Sequence, residues 1–299
     1  MNNRIKFSRF FKIANIFSLL AVFISILFLF FKGLNYGVDF KGGTLLEIRI
    51  ENSNIQIQDI RSVLNIPELG DVNVKQFGKK GDFLIKFEKN ANENEKFMTD
   101  LKNIISQKIG TTVNFRRVES VGPKVSSELL KQGLTAIGLA LGAMLFYIWI
   151  RFEWQFSLGS IIALIHDVVI TLGIFSILSF EVNLSIVAAV LTIVGYSMND
   201  TVVIFDRIRE NLLKYSKLKT NEIADVSVNE TLSRTVITSL TTLLALFSIF
   251  ILGGEILKGF SFAMILGVII GTYSSIFVAS PVLNYFKVSQ KTLLKEDDI

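Results

Sequence analysis

The chain has 299 residues, of which 51% are hydrophobic and only 19% charged, with 26 Phe and a mean hydropathy of +0.51. That balance excludes an ordinary soluble domain and fits a multispan helical membrane protein. The absence of Cys excludes a disulfide framework and a thiolate metal site, the single His (His166) excludes a His-clustered metal site, and a net charge of +5 without a Lys/Arg-rich run does not imply nucleic-acid binding.

Arg4, Lys6, Arg9 and Lys12 precede the apolar run IANIFSLLAVFISILFLFF, residues 13–31. Its length of about 19 residues crosses a hydrocarbon core of about 30 Å. A cleaved signal peptide would have a shorter apolar region and a small-x-small cleavage site. Here Phe30, Phe31, Lys32 and Gly33 follow, so residues 1–31 read as an N-terminal segment and a retained first transmembrane helix.

Residues 32–125 change character. GTLLEIRI (43–50) reads as a strand, Ile57 to Leu64 as a short helix, and DVNVKQF (71–77) and DFLIKF (82–87) as two strands around the GKKGD turn. Phe97, Leu101, Ile104, Ile105 and Lys108 recur at helical spacing before Gly110, and TTVNFRRVES (111–120) closes with a strand. The order βαββαβ is that of a ferredoxin-like split fold. An α+β domain of about 90 residues is therefore expected between the first and second membrane helices.

Five further apolar segments lie near 129–150, 157–178, 183–205, 232–252 and 259–286, so residues 126–286 hold transmembrane helices two to six and 287–299 form a tail. Gly259, Ala263, Gly267, Gly271, Ser275 and Ala279 recur every four residues in the last helix, and Gly138 and Gly142 repeat the spacing in the second. Small residues let membrane helices approach closely, so helix packing is the expected role of Gly267, Gly271, Gly138 and Gly142. The N-terminus, Arg151, the 206–230 connection and the tail are basic, whereas the opposite connections hold Glu181, Glu255 and one Lys, Lys258. The positive-inside rule then puts both termini in the cytoplasm and residues 32–125 outside it.

Several polar residues fall inside the spans. Asp200 lies about six residues into its apolar run, where a carboxylate costs roughly 2.5–3.5 kcal/mol at a helix centre and somewhat less off-centre. Arg234 lies at a matched depth in the fifth helix, which makes the two the expected partners, with Tyr196 and Asn199 near the acid and Thr238, Thr241 and Thr242 near the base. The pair reads either as a permanent structural ion pair or as a site that opens when Asp200 takes a proton. The His166–Asp167 doublet stands about ten residues into the third helix, near mid-membrane, with a structural or a proton-coupling role. Adjacent helical residues point about 100° apart, so the two need not share a face. In FDRIREN (205–211), Asp206/Arg209 and Arg207/Glu210 are spaced for i, i+3 pairs at the membrane exit.

GVDFKGG (37–43) lacks the spacing of a phosphate-binding loop, so Asp39, Gly42 and Gly43 read as a turn into the inserted domain. No P-loop, HExxH or GxSxG occurs, which leaves ATP hydrolysis, proteolysis and lipolysis without a site and points away from an enzyme.

YGVDFKGGTLLEI (36–48), VGPKVSSEL (121–129), RFEWQFSLGSIIALIHDV (151–168), VAAVLTIVGYSMNDTVVIFDRIREN (187–211), NETLSRTVITSLTTLL (229–244) and GTYSSIFVASP (271–281) resemble, in order, the SecD/SecF family of protein-export membrane proteins, on its SecF side. The resemblance runs from about residue 4 to 286. It implies a six-helix half of a pseudo-symmetric bundle of the RND superfamily, completed by SecD. It also implies association with the SecYEG translocon and YajC, action after SecA, and exported unfolded polypeptides as the substrate. The cell inner membrane is the implied location and the proton-motive force, with no cofactor, the energy source. The acid of NDTVV and the arginine of TLSRT, implicated in proton passage in that family, fall on Asp200 and Arg234. The rivals are a non-titrating scaffold subunit and an RND-type small-molecule permease; six spans and a domain of about 90 residues count against the permease.

Overall fold

A computed structural model describes residues 5–51, 55–76, 79–89, 95–215 and 217–293. They form two compact units: Tyr36–Thr135 with Val182–Leu184 in one, and the residues up to Asn35, Ala136–Glu181 and those from Ser185 onward in the other.

In chain order, a 3-10 turn at Phe7–Phe10 leads into α1 (Phe11–Phe31). Then come β1 (Gly43–Ile50), α2 (Ile57–Val63), β2 (Val72–Gln76), β3 (Asp82–Phe87), α3 (Glu95–Ile109) and β4 (Val113–Val121). The remaining helices are α4 (Pro123–Arg151), α5 (Trp154–Leu178), α6 (Leu184–Lys214), α7 (Thr220–Leu252) and α8 (Gly254–Ser274). A π-helical segment, Ser275–Ala279, joins α8 to α9 (Ser280–Tyr285).

The unit that contains the sheet has the order β2-β3-β1-β4, antiparallel throughout, which is the ferredoxin-like arrangement. Period-two alternation places Leu46, Ile48 and Ile50 of β1 beside Phe83, Ile85 and Phe87 of β3, under Ile60 and Val63 of α2 and Leu101 and Ile105 of α3. A capping box starts α2, with the Gln56 N–H donating to Asp59 Oδ2 at 2.8 Å. The opposite face is charged. Arg49 Nε and Nη2 donate to the two carboxylate oxygens of Asp82 at 2.6 Å each, and a register shift at Glu47/Ile48 lets Arg116 approach Asp82 to 3.7 Å. The Arg49 hydrogen bonds hold the Asp82 carboxyl below the usual carboxylate range, whereas burial lowers Lys86 to about 8.

The GVDFKGG stretch does more than turn. Gly42 and Gly43 have φ of 80° and 109°, and a Cβ on Gly43 would sit 2.5 Å from the Phe87 carbonyl oxygen, so only glycine fits there. Within the same unit, Asp39 Oδ2 accepts the Leu184 N–H at 2.9 Å, satisfying a free donor at the start of α6.

In the other unit, α5, α6 and the last span lie at the centre. They bury 44%, 50% and 61% of their most apolar windows, against 11%, 11% and 17% for α1, α4 and α7. All six spans exist, but the helices overrun the apolar segments. The expected loop at 206–230 is largely helical, α6 ending at Lys214 and α7 starting at Thr220. Hydropathy reports only the lipid-facing length, while the charged ends continue the helix through ion pairs. Arg207 bonds Glu210 at 2.6 Å as spaced, and also Glu230 at 2.7 Å. The expected Asp206–Arg209 pair is replaced by pairs reaching the turn before α5: Asp206 with Arg151 at 2.8 Å and Arg209 with Glu153 at 3.3 Å.

Candidate functional site

A hydroxyl-rich junction of α5, α6 and α8 surrounds the two buried acids. Helical spacing puts Ser197, Asp200 and Thr201 on one side of α6 as residues i, i+3 and i+4. Gly271 of α8 makes the approach possible, because a Cβ there would stand 2.9 Å from the Cβ of Ser197. Gly267 faces Ile193 in the same way, one turn away.

Asp167 is fully buried. Its Oδ1 lies 2.8 Å from His166 Nδ1, and its Oδ2 accepts from Ser197 Oγ at 2.5 Å and Ser274 Oγ at 2.8 Å. The neighbours therefore do meet: the side chains of His166 and Asp167 bend toward each other despite their offset around the helix. The His166 ring also stacks on Tyr273, with centroids 6.2 Å apart. Tyr273 in turn donates to the Ala14 carbonyl at 2.8 Å and lies 3.0 Å from Ser18 Oγ, tying α8 to α1.

Asp200, 3% exposed, is held less tightly. Thr272 Oγ1 donates to its Oδ2 at 3.4 Å, and Ser239 Oγ of α7 stands 2.8 Å from the same Thr272 oxygen. Thr201 and Ser275 pair at 2.9 Å. Ser275 opens the π segment, whose wider turn is marked by the Ser280 hydroxyl donating to the Ser275 carbonyl, five residues back, at 3.0 Å. Pro281 follows at once and has no N–H to give to Phe277, so the π turn falls where the α ladder is broken.

The expected contact pair of Asp200 and Arg234 is not formed. Arg234 is exposed and has no ion pair or side-chain hydrogen bond among the described residues; Asp200 feels its charge only at a distance. The last span supplies Thr272 between Asp200 of α6 and Ser239 of α7, although α6 and α7 also touch directly, as expected of helices adjacent in sequence, at Tyr196–Thr242 and Asn211–Ser227. Thr238, Thr241 and Thr242 donate to carbonyls of their own helix, to Arg234, Ile237 and Thr238 at 3.0, 2.9 and 2.9 Å, rather than caging the arginine. Tyr196 reaches Thr242 at 3.4 Å, and Asn199 is exposed. Gly138 and Gly142 do not pack helices within this chain: a Cβ at either would meet nothing within 4 Å. Their face of α4 points away from the bundle, a direction that residue spacing alone cannot assign.

Ser197, Thr201, Thr272, Tyr273 and Ser274 escaped the sequence reading. The signal was present in Thr-Tyr-Ser-Ser at 272–275, directly after Gly271 and six residues before Pro281.

Six long apolar helices with one ferredoxin-like insertion after the first span and two acids buried among hydroxyls define a multi-pass membrane protein with an ionisable bundle core. A family model described as Protein export membrane protein SecD/SecF, C-terminal, matches residues 101–289, and a second, the SecD/SecF GG Motif, matches 27–53. The chain belongs to the SecD/SecF family of bacterial inner-membrane protein-export proteins. It is 42% identical to Protein translocase subunit SecF of Rickettsia rickettsii over 94% of this chain and 91% of that one. It is 44% identical to the subunit of the same name from Vibrio alginolyticus, over 92% and 88%. Among solved structures, the translocon-associated membrane protein SecDF of Thermus thermophilus superposes with a TM-score of 0.85 at 35% identity, over 96% of this chain. SecDF in its super-membrane-facing form gives 0.71 at the same identity. The chain spans 39% of either SecDF chain.

Proposed function

We propose that this chain works with a SecD partner as a proton-driven subunit of the Sec machinery, promoting late translocation of unfolded polypeptides. The observation that carries the reading is the uneven treatment of the two buried acids. Asp167 is saturated by three neighbours, whereas Asp200 has one long bond from Thr272 and a cation, Arg234, near but not bound. A carboxylate left so loosely held within a membrane span is suited to taking up and releasing a proton. One proton moving through a field of 100 mV yields about 2.3 kcal/mol, comparable to a typical coupling energy of roughly 1–3 kcal/mol. The Ser239–Thr272–Asp200 chain of hydroxyls gives α7 and the last span a direct stake in the charge on Asp200.

The remaining parts follow from loop charge and family resemblance. Both termini are cytoplasmic and residues 32–125 extracytoplasmic. SecYEG, YajC and, upstream, SecA are the partners, and the proton gradient acts without a cofactor. The chain is not an enzyme.

The test is proton-gradient-dependent export in a strain that relies on this gene. Asp200→Asn is expected to abolish the gradient-dependent part, and unchanged export sinks the reading. A scaffold subunit instead predicts that Asp200→Asn with Arg234→Met, which removes both charges, exports normally.

A further inference from the structure

One buried nitrogen stands outside the hydroxyl network. His166 lies at the midpoint of the 25-residue α5 and is 5% exposed. Its Nε2 is buried and has no hydrogen-bond partner among the described residues. The other ring nitrogen, Nδ1, lies 2.8 Å from Asp167 Oδ1, while Asp167 Oδ2 accepts from Ser197 at 2.5 Å and Ser274 at 2.8 Å. A carboxylate receiving two hydroxyl protons on one oxygen is acting as an acceptor. We take the proton shared on its other side to sit on the imidazole, the tautomer in which both oxygens of Asp167 accept. With Nδ1–H donating, neutral His166 must carry a bare lone pair on Nε2.

Among the described residues, the titratable groups in contact with the ring are Asp167 on its own helix and Tyr273 on α8, and Tyr273 is held in turn by the Ala14 carbonyl and Ser18 hydroxyl of α1. On α6, Ser197 is bound to Asp167, and Asp200 lies one helical turn beyond it. An imidazolium there would have Asp167 as its counter-charge and would lie stacked against the Tyr273 ring.

We propose that His166 Nε2 is a proton-accepting site in the middle of the bundle, with Asp167 the positioning residue that fixes its tautomer and balances its charge. The proton adds to the Nε2 lone pair, and the neutral ring beside a carboxylate becomes an ion pair. Charging the ring strengthens its stack on Tyr273 and so its link to α1, which gives proton loading a mechanical consequence separate from Asp200. The proposal rests on the proton-coupled reading above and adds a second loading site to it.

His166 is the only histidine in the chain, so histidine-selective 15N labelling reports on it alone. The full chain, purified without a histidine tag and placed in lipid nanodiscs, is expected to show a protonated Nδ1 and a bare Nε2 at alkaline pH. On acidification from about pH 8 to about pH 5, the window in which imidazole chemistry is read, the Nε2 signal should move to the protonated position. In Asp167→Asn the fixed Nδ1–H tautomer should give way to a mixture. A protonated Nε2 at alkaline pH, or an Nε2 that stays bare to pH 5, overturns the proposal. In cells, His166→Asn keeps a donor for Asp167 but cannot load the proton, and the gradient-dependent part of export should be lost. Wild-type export by that variant also overturns the proposal; if it does not fold, the labelled native chain decides. Normal export by Asp200→Asn together with titration of His166 would remove the Asp200 reading and leave this one standing.

Discussion

Ser197 of α6 donates to Asp167 of α5 across 2.5 Å, joining two of the three most buried helices in their middle. Hydroxyl bonds within membrane bundles average about 0.6 kcal/mol and reach about 1.7. This one has a carboxylate acceptor and belongs at the upper end of that range. A double-mutant cycle of Ser197→Ala and Asp167→Asn, followed by unfolding in lipid bicelles, should return a coupling energy of about 1–2 kcal/mol. A coupling near zero would mean that the junction is not held by this bond.

Glycine positions that look alike in sequence should behave differently. Gly271→Val drives side-chain atoms into Ser197, where even a Cβ would lie 2.9 Å from its Cβ and 3.2 Å from its Cα. Overpacking of this kind costs about 1–3 kcal/mol. Gly138→Ala and Gly142→Ala meet open space and should change the unfolding of the isolated chain by no more than about 0.5 kcal/mol. Equal effects at the two seams would contradict the packing described for α8.

The contrast shows what was legible in the sequence. Hydropathy located all six spans and period-two alternation gave the sheet, because both are set by burial summed over many residues. The partners of single polar groups are another matter. Most Ser and Thr in these helices donate to the carbonyl four residues back, as Thr171 does to Asp167 and Thr192 to Ala188, both at 2.8 Å. Only the direction of approach of a neighbouring helix decides which hydroxyls, such as Ser197 and Ser274, do otherwise. Residue spacing pairs Asp200 and Arg234 by their position along the spans, but position leaves open which helix stands beside them, and Thr272 occupies the place next to the acid.

The absence of an Asp200–Arg234 contact has its own consequence. Arg234→Met should leave the unfolding midpoint of the chain nearly unchanged, within about 0.5 kcal/mol, as for an exposed residue without a partner. Arg209→Met removes an ion pair with Glu153 at 3.3 Å, but both side chains are partly solvated, so the loss should stay below about 1 kcal/mol. A loss of several kcal/mol for Arg234→Met would reveal a buried pair and reverse the assignment.

The sheet domain should respond to pH at both ends of the scale. Asp82 has a folded value below its unfolded one, so its contribution is present above about pH 4 and disappears as pH falls through the lower folded value. Lys86 is shifted the other way for a base. With about 8 in the folded chain against 10.5 unfolded, the unfolded state binds more protons in between, and stability rises from pH 8 to pH 10.5. Hydrogen-exchange protection at Phe83 and Ile85 in the full chain, corrected for intrinsic rates, should follow both limbs. Asp82→Asn should remove the acid limb, and Lys86→Met the alkaline one.

Asp39 gives the sharpest local test, because one carboxylate oxygen meets one backbone donor. The Leu184 N–H is among the first amides of α6, which have no intrahelical acceptor, and a negative charge at this end also suits the helix dipole. Losing a side-chain cap typically costs about 1 kcal/mol, with a range of roughly 0.5–2. Asp39→Ala should therefore raise exchange of the Leu184 amide about fivefold for each 1 kcal/mol lost, without altering amides near Asp200. Asp39→Asn keeps the oxygen but not the charge, and it should recover most of the protection. If Asp39→Ala left the Leu184 amide as protected as before, the capping bond would not be what orders the start of α6.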